Sequence, residues 1–206
     1  MDELNIIREV GSIAAGHGSI ALSEILGRKI VLEVPSCGMI TKVERGKTIM
    51  LDSIGVVIFS RILVGLKGEV VFLLNEENAF KLISITSNYK DTITRGVVPT
   101  EMGMSVLKEV GSIVIGAYLN ALSLMLKRLI IPPLPTLING QLDDILDLIL
   151  GPYADDEYSY LVETAFECKE ENIKGSFYLI LTPDASQDIK DHMEGLLKDL
   201  EEPDKK

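Results

Sequence analysis

Glu9 and Ser12 stand three residues apart, and the same pair returns as Glu109 and Ser112 inside the identical pentapeptide EVGSI at 9–13 and 109–113. On a helix this spacing sets a carboxylate and a hydroxyl on one face, one turn apart. A carboxylate engages a cation, and a hydroxyl both donates and accepts a hydrogen bond, so the pair has the chemistry to hold and orient a polar group. The sequence adds no recognisable catalytic triad, phosphate-cradling loop or metal-ligand cluster. That combination directs attention to positioning rather than to a self-sufficient reaction centre. Two plainer explanations also fit the spacing: Glu and Ser on a solvated face, and glycines that let two helices pack closely.

Projecting residues 5–26 on a helix at ~100° per residue from Glu9 gathers Asn5, Glu9, Ser12, Gly16 and Ser23 on one stripe. Val10, Ala14, Ala21, Leu22, Ile25 and Leu26 fall opposite. The second copy sets Ser105, Glu109, Ser112, Gly116, Asn120 and Ser123 against Val110, Val114, Ala121, Leu122, Met125 and Leu126. A merely solvated face diversifies in charge and size between duplicates. This one keeps a carboxylate, a hydroxyl one turn on, and a glycine that would admit another backbone.

These stripes belong to a larger repeat. Residues 8–35 align on 108–135 without a gap, and 13 of the 28 positions are identical, ending with Pro35 and Pro135. A second echo matches LKGEVVFLLNEENAFKLI from Leu66 with IKGSFYLILTPDASQDIK from Ile173. The chain therefore reads as an internal duplication. Each half gives a long helix (3–27 and 103–127), a proline-marked connection, a hairpin and a closing helix. The first hairpin joins Val56–Val64 to Glu69–Leu74 and leads into a helix at 76–88; the second joins Tyr158–Cys168 to Gly175–Leu181. An additional short helix is expected near Leu142–Leu150. Hairpins beside helices predict an α+β fold with pseudo-twofold symmetry, an antiparallel β-sheet flanked by long helices. Residues 1–200 are expected to form one domain of two repeats, about 1–99 and 100–200, followed by a flexible tail at 201–206.

Composition excludes several partner classes. With 31 acidic against 20 basic residues and a net charge of -11, the chain repels nucleic-acid phosphates and anionic lipid. Its two cysteines, Cys37 and Cys168, form no disulfide framework or zinc motif, which fits a reducing, cytoplasmic setting. Val110–Leu126 lacks charge but contains Ser112, Asn120 and Ser123, and its counterpart contains His17 and Glu24, so a core helix is expected rather than a membrane span. His17, His192 and the acids around Asp143–Asp147 and Asp155–Glu157 lack paired ligand spacing and are read as surface groups. The methionines are read mainly as gap fillers.

The repeated stripe resembles the signature of chemotaxis phosphatases of the CheC, CheX and FliY type. That signature runs Asp or Ser, three residues, Glu, two residues, Asn, twenty-two residues, Pro. Here Ser105, Glu109, Ser112 and Pro135 stand at that spacing, as do Asn5, Glu9, Ser12 and Pro35. Both Asn positions hold serine, and Asn5 replaces the first Asp or Ser. The resemblance implies a CheC-like duplicated fold. It also implies docking to a phosphorylated CheY-type receiver, with Glu9, Ser12, Glu109 and Ser112 in the catalytic positions and Asn5, Gly16, Ser105 and Gly116 contacting the partner. No cofactor of the chain's own is implied, because the receiver carries the Mg²⁺. A non-catalytic adaptor that binds the receiver or the CheD deamidase is the alternative implied by the two serines.

Overall fold

The computed structural model describes residues 3–33, 35–39, 53–87, 99–131, 134–153 and 159–201. The chain runs α1 (Glu3–Leu26), β1 (Val31–Leu32), β2 (Ser36–Met39), β3 (Ile54–Ile62), β4 (Gly68–Asn75) and α2 (Glu76–Ser87). It continues through α3 (Glu101–Met125), β5 (Thr136–Gln141), α4 (Leu142–Leu150), β6 (Tyr160–Cys168), β7 (Ile173–Leu181) and α5 (Pro183–Glu201). The expected long helices, hairpins and short additional helix are all present, with ends within two or three residues of the sequence reading. Of the expected tail at 201–206, Glu201 still belongs to α5 and the rest lies outside the described residues, as do residues 154–158 with the acids Asp155–Glu157.

One antiparallel sheet takes strands in the order β1-β6-β7-β4-β3-β5, with β2 also pairing β6. Val71 of β4 pairs with Tyr178 of β7. The sequence repeat maps these two residues onto each other, so the pseudo-twofold axis crosses the sheet at this pair. The halves are also interlaced. Strands β1 and β2 from the first half join β6 of the second, while β5 from the second half joins β3 of the first. Pro35 and Pro135 immediately precede β2 and β5, the crossing strands; a proline at the first edge of a strand costs no ladder bond.

Helices α1 and α3 lie side by side on one face of this sheet, and their apolar stripes account for much of the core. Ile7, Val10, Leu22, Leu107, Ile115 and Tyr118 are all buried against Phe72, Phe166 and Phe177. The close approach is set by Gly11 and Gly111. A Cβ on Gly11 would lie 2.8 Å from Val162 Cγ1 of β6, and one on Gly111 would lie 2.6 Å from Ile58 of β3. Each long helix thus rests on a strand from the opposite half. Gly18 of α1 approaches the Val114 carbonyl at a Cβ distance of 3.6 Å, while its repeat equivalent, Tyr118, fills the interior and donates to the Gly11 carbonyl at 3.4 Å. The opposite sheet face is covered by α4, whose Leu142, Ile145 and Ile149 pack with Val57, Val71 and Ile180.

Helix α3 is long and apolar enough to cross a membrane by length and composition. Its apolar stripe is instead spent on α1 and the sheet.

The glycines give a direct test of this packing. Gly11→Ala or Gly111→Ala forces a methyl group into a strand side chain and should cost about 1–3 kcal/mol, the usual penalty of overpacking. Gly16→Ala and Gly116→Ala meet nothing within 4 Å and should gain up to about 1 kcal/mol from helix propensity. Urea unfolding of the four variants measures both signs.

Candidate docking and catalytic site

The rotation of α1 and α3 fixed by Gly11 and Gly111 turns the remaining letters of EVGSI outward in a defined way. Val10 and Val110 are buried, Glu9 and Glu109 are exposed, and Ser12 and Ser112 sit half-buried at the base of the stripe. Among the described residues no cation pairs with Glu9 or Glu109, so both carboxylates are free to receive one from outside. Asn5, Glu9 and Ser12 share one helix face, as do Ser105, Glu109 and Ser112, so each expected set is assembled on its own helix.

The two sets differ in their internal bonds. Ser112 Oγ donates to the Lys108 carbonyl at 2.7 Å, and Ser105 Oγ donates to the Glu101 carbonyl at 2.9 Å. Their hydroxyl protons are thereby committed to the preceding turn, leaving lone pairs facing outward. Ser12 makes no such bond among the described residues, and Asn5 Oδ1 accepts from Arg8 Nη2 at 2.9 Å. The first set therefore keeps an uncommitted hydroxyl, and the second keeps an uncommitted acceptor edge.

Gly16 and Gly116 are half-exposed with open space above them. They do not serve helix-to-helix or helix-to-sheet contact, a role that falls to Gly11, Gly18 and Gly111. They leave a notch in each stripe. Ser23 and Ser123, placed on the stripes by the helical projection, have a different task. Each hydroxyl donates to the carbonyl of Arg28 or Arg128 and closes the end of its helix, next to the positive φ of Gly27 (61°) and Lys127 (47°). His17 is exposed, as expected; His192 is half-buried, with Nε2 enclosed and lacking a hydrogen-bond partner among the described residues.

Residue-type reasoning overlooked Ile13 and Ile113. They are 40% and 47% exposed, although isoleucine is ordinarily buried. The signal was available: on the same projection Ile13 falls ~40° from Glu9, inside the stripe. Each site is therefore a carboxylate, a hydroxyl, a notch and an exposed isoleucine. That mixture suits a protein surface better than a small molecule, because it is convex, open and partly apolar.

Comparison with known proteins agrees with this architecture. No family model matches the chain. CheC of Bacillus subtilis (strain 168), a CheY-P phosphatase, is 31% identical over 140 residues, covering 65% of each chain. The match thus spans about two thirds of that relative's length, just short of it. The crystal structure of Thermotoga maritima FliY superposes with a TM-score of 0.71 at 21% identity, covering 94% of this chain and 96% of FliY. CheX of Borrelia burgdorferi, solved in a complex with CheY, BeF₃ and Mg²⁺, gives a TM-score of 0.55 at 17% identity over 84% of this chain and 96% of that one. The protein is CheC-like in sequence and has the fold shared by FliY and CheX, as the repeated signature implied.

Since neither Glu9 nor Glu109 has an ion-pair or side-chain hydrogen-bond partner among the described residues, Glu9→Lys with Glu109→Lys should leave stability within about 0.5 kcal/mol of wild type. Thermal and urea unfolding check this; a large loss would show that the stripes serve the fold.

Proposed function

We propose that this CheC-like protein acts in chemotaxis signalling, in the cytoplasm, by docking a phosphorylated CheY-type receiver on its helix stripes and promoting hydrolysis of the receiver's aspartyl phosphate. The observation that carries the reading is the in-register pair of exposed carboxylates, each one turn from a hydroxyl, on a duplicated fold that retains the signature spacing through to Pro35 and Pro135.

The chemistry asks little of the docking protein. The receiver supplies the phosphorylated Asp, Mg²⁺ and a lysine. Glu9 or Glu109 pairs with that lysine, and the residue one turn on holds a water in line with phosphorus. Catalysis of this kind is orientation and electrostatics, without a new nucleophile. Serine is a shorter positioning group than a carboxamide and lacks its separate donor and acceptor ends. A displacement of about 1 Å in such a group costs on the order of a hundredfold in rate. Wild-type turnover is therefore expected to be weak.

A second reading rests on Ser112. With its proton donated to Lys108, its ability to hold a water is reduced to acceptance alone. If Ser12 is likewise too short, the protein is an adaptor that binds the receiver, or CheD, without chemistry.

Phosphate release from a Mg²⁺-loaded, phosphorylated receiver separates the two. Ser12→Asn and Ser112→Asn should raise the rate about tenfold or more while affinity changes little, because a water-orienting contact acts mainly in the transition state. Ser112→Asn should give the larger gain, since Ser105 completes the signature only in that half. Glu9→Lys with Glu109→Lys should abolish binding. Rates equal to spontaneous receiver decay in wild type and all serine variants, with binding intact, would establish the adaptor; absence of receiver binding would overturn both readings.

A further inference from the structure

We propose that the corner formed by the β3–β4 turn and the α3–β5 connection is a second docking surface, which takes a basic amphipathic segment of another protein. Leu63, Val64, Leu129 and Ile131 are between 47% and 70% exposed there. They form one patch: Val64 and Ile131 face each other across an isolated β-bridge, and Gly65, at φ 86°, brings the turn against the Leu129 carbonyl, where a Cβ would lie 2.2 Å away. Isolated exposed apolar residues need no explanation, but four brought together at one corner do.

The duplication supplies an internal control. The counterpart corner is built by the β6–β7 turn and the α1–β1 connection. Its turn carries Lys169, Glu170 and Glu171, Lys29 stands where Leu129 stands, and Val31 pairs with Glu167 rather than with a second apolar residue. Arg28 closes that corner through ion pairs to Glu170 and Glu171 at 3.2 and 3.0 Å. The same backbone corner is thus closed by charged side chains in one copy, so exposed leucines are not a requirement of the fold at the other.

The occupant's chemistry follows from what adjoins the patch. A groove of about 590 Å³ opens beside Leu63, with Leu66 and Ala185 also on its apolar side. Asp184, Asp188 and Asp191 of α5 line its other wall, at spacings that set them on one helix face. Lys67 also lines this groove and pairs with Asp184 at 4.0 Å, and Arg128 engages Asp188, while Asp191 accepts only from Gln187 and has no cation partner among the described residues. An apolar strip flanked by three carboxylates against two cations keeps a net negative wall, which complements a helix with leucine-like residues on one face and Lys or Arg beside them. This surface involves neither Glu9 nor Glu109 and does not depend on the receiver reading.

The test uses the full chain and a labelled synthetic amphipathic helix of leucine and lysine, with a leucine–glutamate helix of the same pattern as control, followed by fluorescence anisotropy. The basic peptide should bind and the acidic one should not. Leu63→Glu with Val64→Glu, which gives the turn the charge of its counterpart, should weaken binding about tenfold or more, as should Asp184→Asn with Asp191→Asn. Non-specific attraction predicts the opposite for the first variant, because it adds negative charge; tighter or unchanged binding there would overturn the proposal. Leu129→Lys, copying Lys29, provides the same test should the double glutamate variant lose its native circular dichroism. Self-association of wild type that Leu129→Lys abolishes would overturn the proposal in favour of a second copy as occupant.

Discussion

The missing side chains of Gly11 and Gly111 govern how this molecule presents itself. Because Val162 and Ile58 occupy the space where a Cβ would be, each long helix is held against its strand in one rotation and at one height. Protein interiors are packed too densely for such a helix to roll by a residue without opening a cavity or creating a clash. The pentapeptide EVGSI then divides without ambiguity. Valine enters the core, glycine touches the sheet, and glutamate, serine and isoleucine meet solvent. A positioning chemistry needs that fixity, since its contribution depends on where a carboxylate and a hydroxyl stand and little on their intrinsic reactivity.

Interlacing adds to the constraint. Since β5 crosses to β3, and β1 and β2 cross to β6, neither half closes its own share of the sheet. The two stripes are held by one shared core, with Phe72, Phe166 and Phe177 clustered beneath both helices at centroid separations of 5.0 to 5.6 Å. Symmetry stops where space near the axis runs out: Tyr118 is fully buried, and its counterpart is Gly18. Burial also raises the Tyr118 hydroxyl pKa above the ordinary tyrosine range, so it remains a neutral, internal donor. The halves are therefore free to differ at the surface, and they do so in the bonds made by Ser12 and Ser112.

Much of this was legible in the sequence. Strong 3.6-residue periodicity located both long helices, and the alternating apolar runs around short turns located the hairpins. The repeat itself announced the symmetry. What could not be read was non-local. The crossing of β5 to the first half's hairpin depends on pairing across the chain, which local pattern does not encode. The assignment of Gly16 and Gly116 as close-approach positions left out Gly11 and Gly111, because choosing among glycines requires knowing what lies opposite each one. Ile13 and Ile113 were missed for another reason: as apolar residues they were counted on neither stripe, although their angular position lies within the polar one.

The proposed function turns on a receiver docking on the outward faces of α1 and α3. Backbone amide shifts of the isotopically labelled protein, titrated with a Mg²⁺-loaded phosphorylated receiver, test it most directly. Docking on these faces should perturb amides at Glu9–Ile13, at Glu109–Ile113, or at both, and leave the amides of α4 unchanged. Saturable shifts confined to α4 or the sheet edge, with both EVGSI segments silent, would contradict it.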